Sequence, residues 1–362
     1  MGTDKNPGPL APGPLASGAL APAPSTKAGE GSYGCVYRPQ LPCKKSKLKR
    51  TTKTVGKVLK KKDANVELLI GALVKSIPSW EDYYIVQEED DCDASNFKAF
   101  RKDYMEDCKI FQSSDFRSGN MTQVVSKYGG RDFYDSIPVS SFDYLKSLKH
   151  VLQAIDKLGQ RGICHYDLKE NNILMDNEGV LRIIDFGGSF VGDGMTDESV
   201  KKRIYAEFIP EYNPQPPELT MMHGLYWKTG TMKKMYHDSI YDKPVFTLIE
   251  TYLGRSREEA VDALKFFWNS YYTDHGEEEG WGKFFRLHWR SWDTWSVGVI
   301  FLKVLRRCLV YKPFVENTWK PHGPLIKEVL RGLLEVDPRM RLSAEGALEL
   351  LKDKPSAYPV FI

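Results

Sequence analysis

No apolar run in this chain approaches the roughly 20 residues that a membrane-crossing helix needs, which argues against a spanning segment. Nor does the N-terminus imitate a secretory leader, because prolines interrupt its apolar residues. Cysteine is scarce: Cys35, Cys43, Cys92, Cys108, Cys164 and Cys308 lie far apart and form no CxxC pair. That spacing argues against a zinc site. So low a count is also thin for a disulfide scaffold and fits a reducing compartment. Charge of one sign is lacking too. A net charge of +3 is too small to argue for a nucleic-acid binder. The basic run 44–62 is the local exception and reads as a solvated loop, with contact to phosphates, nucleic acid or an acidic partner as the sharper alternative.

Residues 1–27 lack side chains able to build a core and read as a disordered or polyproline-like Pro/Ala tract, with ordered sequence expected from Ala28. From 28 to 126 the chain reads as short strands and one helix. A strand is expected over 54–59 and a helix over 64–75, with Val66, Leu69, Ile70 and Leu73 as its apolar positions; the acidic stretch Glu88–Asp93 is expected to be a loop. After about 131 the character is helical. Leu145, Leu148, Val151, Leu152, Ile155 and Leu158 recur at helical spacing and stop near Gly159 and Gly162. Short strands are expected at 172–175 and 181–184, and a buried helix at 295–304.

Several residues carry chemistry. Gly29, Gly31 and Gly34, with Ser32 among them, form a GxGxxG loop followed by Val36-Tyr37. Glycines let backbone N–H groups approach phosphates. The motif alone is weak, but a dinucleotide turn should open a helix, whereas Val36-Tyr37 suggests a strand. A cation for the phosphates is sought on the next strand, where Lys57 is preferred and Lys60 is its rival. Glu67, on the following helix, can pair with that lysine or can simply be a surface glutamate. The densest signal is His165-Tyr166-Asp167-Leu168-Lys169-Glu170-Asn171-Asn172. Asp167 can orient or accept the proton of an attacking hydroxyl, and Lys169 can neutralise a transferring phosphate. Asn172, and Asp185 thirteen residues beyond it in Asp185-Phe186-Gly187, supply oxygens of the kind Mg²⁺ takes.

Together these residues resemble the eukaryotic-type protein kinase family, in the family's order from about 29 to 345. Pro216-Pro217-Glu218 resembles its Ala-Pro-Glu, Asp293-Thr294-Trp295-Ser296-Val297-Gly298 its DxWSxG helix start, and Asp337-Pro338-Arg339-Met340-Arg341 the segment whose arginine pairs with that glutamate. The resemblance implies an α+β, bilobal protein kinase fold: a small β-rich N-lobe over 28–126, a hinge at 127–130 and a larger, mainly helical C-lobe over 131–362. It implies ATP and Mg²⁺ as cofactors and protein substrates with Ser/Thr acceptors, since Lys169 resembles the serine/threonine branch. It also implies a nucleotide site in which Val36 and Val55 sandwich adenine, Ser126 is the gatekeeper, Lys127, Tyr128 and Gly130 belong to the hinge, and Leu174 joins the set. A Glu218–Arg341 ion pair is expected.

Three departures stand out. Tyr166 replaces the arginine that normally meets an activation-loop phosphate, which implies activation independent of such a phosphate. Glu211 stands where the family has a threonine beside the catalytic aspartate. An insert at about 219–290 carries a capping-box pattern (Ser256, Glu259) and dense aromatics, read as core or, alternatively, as a surface for a docking partner. The basic insertion and the long insert resemble the divergent kinases of large DNA viruses. A cytoplasmic location is expected, in the host cytoplasm or the virion if the chain is viral. A pseudokinase or scaffold acting through the insert, and a small-molecule phosphotransferase, are the competing readings.

Overall fold

The computed structural model describes residues 24–31, 34–45, 49–93, 108–138, 141–203, 209–275 and 280–352. Its first layer is a five-stranded antiparallel sheet in the order β1-β2-β3-β5-β4. The strands are β1 (Thr26–Gly31), β2 (Gly34–Arg38), β3 (Thr54–Lys60), β4 (Glu88–Asp93) and β5 (Met121–Lys127). Order therefore starts before Ala28: the glycine loop is the tip of a β1–β2 hairpin, and Thr26 and Lys27 already pair with Arg38 and Tyr37. The rest of the Pro/Ala tract, residues 1–23, lies outside the described residues, as do Ser32 and Tyr33.

Two expectations are corrected here. The acidic stretch Glu88–Asp93 is a strand, pairing with Thr122, Val124 and Val125 of β5. Strand pairing is made by backbone groups, and an edge strand tolerates charge well. The cysteines also behave differently. Disulfides join Cys35 to Cys108 and Cys43 to Cys92, while Cys164 and Cys308 are free and buried. Sequence spacing hid this, because strand pairing brings distant segments together around a small apolar cluster that includes Tyr37, Leu41, Phe111 and Met121. Such bonds persist in oxidising surroundings, so the cysteine count gives no support to a reducing compartment.

Helix α1 (Lys61–Lys75) follows β3 directly. Its buried face is Ala64, Glu67, Ile70, Gly71 and Val74, whereas Leu69 is 61% exposed. The apolar periodicity thus pointed to a face rotated from the true one. What turns the helix is the polar link of Glu67 to Lys57 beneath the sheet.

The helical part packs around α2 (Tyr144–Gln160) and α7 (Trp292–Cys308). The Asp143 carboxylate caps α2 by accepting from Lys146 N at 2.9 Å. Beside α2, β6 (Arg131–Asp132), β8 (Ile173–Met175) and β9 (Leu181–Ile183) form a three-stranded sheet, and β7 (Ile163–Cys164) pairs with β10 (Phe190–Val191). Four of the helices between 217 and 290 are α3 (Pro217–Trp227), α4 (Met232–Tyr241), α5 (Arg257–His275) and α6 (Trp281–His288). The capping box forms as its sequence signature indicates: Ser256 N donates to Glu259 at 2.8 Å and Glu259 N to Ser256 Oγ at 3.1 Å. Leu264, Phe267, Trp268, Phe284 and Phe285 are buried in the same core as α2 and α7, so the dense aromatics are core. Helices α8 (Lys320–Leu333) and α9 (Ala344–Leu351) close the fold. Among the described residues no helix is long and apolar enough to cross a membrane.

Candidate active site

The sheet register builds the upper half of the site. Val36 pairs with Lys57, and Val55 with Ser126. Lys57 and Val55 are two residues apart on one strand and so share a face. Lys60, three residues on, points to the other face and pairs with Asp115 at 2.6 Å. Lys57 Nζ instead donates to Glu67 of α1 and, at 2.7 Å, to Asp185 Oδ1. Burial favours the neutral amine, but the two carboxylates outweigh it and hold Lys57 above its usual range. Asp185 shows the same balance reversed: burial opposes its charge, and Lys57 still holds it below the ordinary carboxylate range. Burial pushes Glu67 up to about 7 against the pull of Lys57.

The glycines have different reasons to be there. A Cβ built at Gly29 or Gly31 meets no atom within 4 Å, so this loop borders open space. A Cβ at Gly34 would collide with the Val58 carbonyl, so close approach of β2 to β3 requires glycine. Gly130 has φ +115° and a Cβ there would strike the Met175 carbonyl. Val36, Val55 and Leu174 are half-buried apolar side chains, Ser126 is buried and Lys127 exposed. Tyr128 carries the Arg38 guanidinium 3.4 Å from its ring centroid.

The lower half is the loop after β7. Asp293, buried at the start of α7, accepts from His165 N at 2.7 Å and Tyr166 N at 2.9 Å, fixing the loop's backbone. His165 Nε2 lies 2.9 Å from the Ile184 carbonyl, and its ring packs on buried Phe186. Asp167 Oδ2 accepts from Lys169 at 2.7 Å, and Asn172 Nδ2 donates to the Asp167 carbonyl at 2.7 Å. With that amide nitrogen engaged, Oδ1 is the atom Asn172 can offer a cation. An amide oxygen and a carboxylate make a donor set of the hard kind Mg²⁺ prefers, and the open space at the glycine loop leaves room for phosphates, so the residues fit Mg·ATP.

Of the expected site residues, Lys57, Glu67 and Asp185 are brought into contact, as are Asp167, Lys169 and Asn172. Ser32 is outside the described residues. Tyr212 went unnoticed in the sequence: its hydroxyl donates to Asp167 Oδ1. Glu211, singled out at the threonine position, is exposed. No periodicity or motif marks Tyr212; only its adjacence to the odd Glu211 could have raised it.

Tyr166 sits at φ +69°, its ring against Phe190 and Trp292. Its hydroxyl lies 3.3 Å from His223 Nε2, and Gln215 Nε2 lies 3.2 Å from His223 Nδ1. An amide nitrogen only donates, so with this amide orientation Nδ1 accepts and Nε2 carries the proton. Burial, with Lys243 second, pushes His223 down to about 3. The unfolded chain therefore takes up a proton near pH 6.5 that the folded protein refuses until about pH 3. Folding stability should fall with pH across that window, by about 2 kcal/mol at pH 5. Urea melts at pH 7 and pH 5 should show this loss, and His223→Gln should show less of it.

The chain belongs to the protein kinase domain family, which matches residues 24–206, about half of its length. Over 175 residues it is 22% identical to the serine/threonine-protein kinase HAL4/SAT4 of Saccharomyces cerevisiae, covering 43% of this chain and 28% of that protein. Over 140 residues it is 28% identical to mitogen-activated protein kinase kinase kinase kinase 3 of Rattus norvegicus, covering 38% of this chain and 15% of that one. The chain matches less than a third of the length of either relative.

Proposed function

We propose that this chain is an active protein kinase that moves the γ-phosphoryl group of ATP onto serine or threonine hydroxyls of other proteins. One observation carries the reading: Lys57, Glu67 and Asp185 meet above Asp167, Lys169 and Asn172, so no charged member of a phosphotransfer site is missing. Mg·ATP, when bound, supplies the phosphoryl group and the charge that neutralises its oxygens. Lys57, kept cationic and aimed by Glu67, holds the phosphates. Asn172 and Asp185 hold Mg²⁺. Asp167 orients the acceptor hydroxyl and takes its proton, and Lys169 beside it offsets negative charge on the group in transit. Val36, Val55 and Leu174 offer apolar surface to adenine, with Ser126 as gatekeeper and 127–130 as hinge.

Serine and threonine are the acceptors proposed because Lys169 stands two residues after Asp167, and the yeast relative is named a serine/threonine-protein kinase. The lobe boundaries, activation without a loop phosphate, a place in the divergent viral branch and a docking partner on the helices of 219–290 belong to the same proposal. The test is transfer of labelled γ-phosphate to a generic basic protein and to the chain itself, followed by phosphoamino-acid analysis. Label on serine or threonine supports the reading. Folded, ATP-binding protein that labels neither acceptor would instead favour a scaffold.

A further inference from the structure

Two features of the lower site are unexplained by the proposed chemistry. One is the Tyr212 hydroxyl on Asp167 Oδ1. The other is Lys243, a lysine buried completely between α4 and α5. Its ammonium donates to the Pro210 carbonyl at 2.9 Å, to the Tyr212 carbonyl at 2.8 Å and to Thr220 Oγ1 at 3.3 Å. Burying a lysine without a carboxylate bonded to it is costly, so a fold that keeps one has its backbone bonds to show for it.

We infer that Tyr212 is a positioning residue for the phosphoryl transfer proposed above, aimed at Asp167 by Lys243 from within the insert. The geometry gives the two carboxylate oxygens different partners, with Asn172 Nδ2 also 3.3 Å from Oδ2. Lys169 holds Oδ2, and Tyr212 holds Oδ1. An ionised carboxylate has about four lone-pair sites, so Oδ1 can accept from Tyr212 and still receive an acceptor hydroxyl. Tyr212 thereby fixes the plane in which Asp167 meets its substrate.

The segment bearing Tyr212 is braced at successive residues. Trp295 Nε1 donates to the Asn213 carbonyl at 3.0 Å, and Ser296 Oγ to the Pro214 carbonyl at 2.8 Å. Val245 N donates to Asn213 Oδ1 at 2.8 Å. A plug that has to swing away before each turnover would not be tied down at 210, 212, 213 and 214. The bracing favours a fixed support over a gate. Burial lowers Lys243 to about 7, with Glu218 and Glu211 opposing, and charged or neutral it retains donors for both carbonyls.

The inference rests on the kinase reading, and the experiment separates the two. Steady-state transfer to a basic protein is measured for the wild type, Tyr212→Phe, Lys243→Met and the double variant. Tyr212→Phe removes only a hydroxyl from a half-buried side chain and should fold. It should lower kcat on the order of 10–100-fold with KM for ATP unchanged. If Lys243 acts through Tyr212, Lys243→Met should lower kcat in the wild-type background and add little in the Tyr212→Phe background. A merely structural lysine would lower kcat by the same factor in both. An unchanged or raised kcat in Tyr212→Phe overturns the inference while leaving the kinase intact. No transfer by the wild type sinks the kinase reading and this inference with it.

Discussion

Asp167→Asn is expected to slow phosphoryl transfer on the order of 10²–10⁴-fold while Mg·ATP binding stays near the wild-type level. The substitution keeps the shape of the side chain, but its single amide oxygen can accept from Lys169 or from Tyr212, which now bond different oxygens, and not from both. It removes the negative charge and the basicity. An amide can orient an acceptor hydroxyl, but it cannot take the proton. The residues offered for binding, Lys57, Asn172 and Asp185, are untouched; Asn172 holds the loop through the backbone carbonyl of residue 167, which the substitution retains. Rapid-quench transfer and equilibrium binding of a fluorescent nucleotide would check both halves. Loss of binding together with transfer would mean that Asp167 is structural.

Arg341→Met should destabilise the fold by about 3–5 kcal/mol. Arg341 and Glu218 form a bidentate pair, with both bonds at 2.8 Å and both side chains fully buried. The guanidinium also donates to the carbonyls of Glu335 and Val336, at 2.7 and 3.2 Å. Removing the arginine strands the Glu218 carboxylate in the core at the start of α3. The cost is that of an unpaired buried charge rather than of the pair itself. Glu218→Leu combined with Arg341→Met should therefore recover much of the loss, because replacing both ions by apolar groups is often near neutral. Urea unfolding of the two single variants and the double variant measures it. Additive losses would show that the packing, and not the charge, was what mattered.

Legibility in the sequence followed the range of the interaction. Contiguous motifs were readable: the glycine hairpin, the 165–172 loop, Asp185 and the Ser256–Glu259 cap all depend on neighbours within a few residues. The Glu218–Arg341 pair was readable only through family resemblance, since 123 positions separate its partners. Contacts set by packing were not readable. The face of α1 is turned by Glu67 rather than by Leu69 and Leu73. The acidic run of β4 hides a backbone that pairs. Cys35 and Cys108 look unrelated until the sheet forms. Tyr212 and Lys243 carry no spacing signal, because what joins them to Asp167 is three-dimensional.

Asp293 anchors the loop after β7. One buried carboxylate holds the amides of His165 and Tyr166, and it stands on α7, whose residues from Trp292 to Leu302 are all buried. Loop and helix thus form one cooperative unit. The segment that would do the chemistry can loosen only when the centre of the helical core opens, whereas β1 above it is largely exposed and pairs with β2 alone. A nucleotide entering beneath β1 would therefore leave the anchored loop undisturbed.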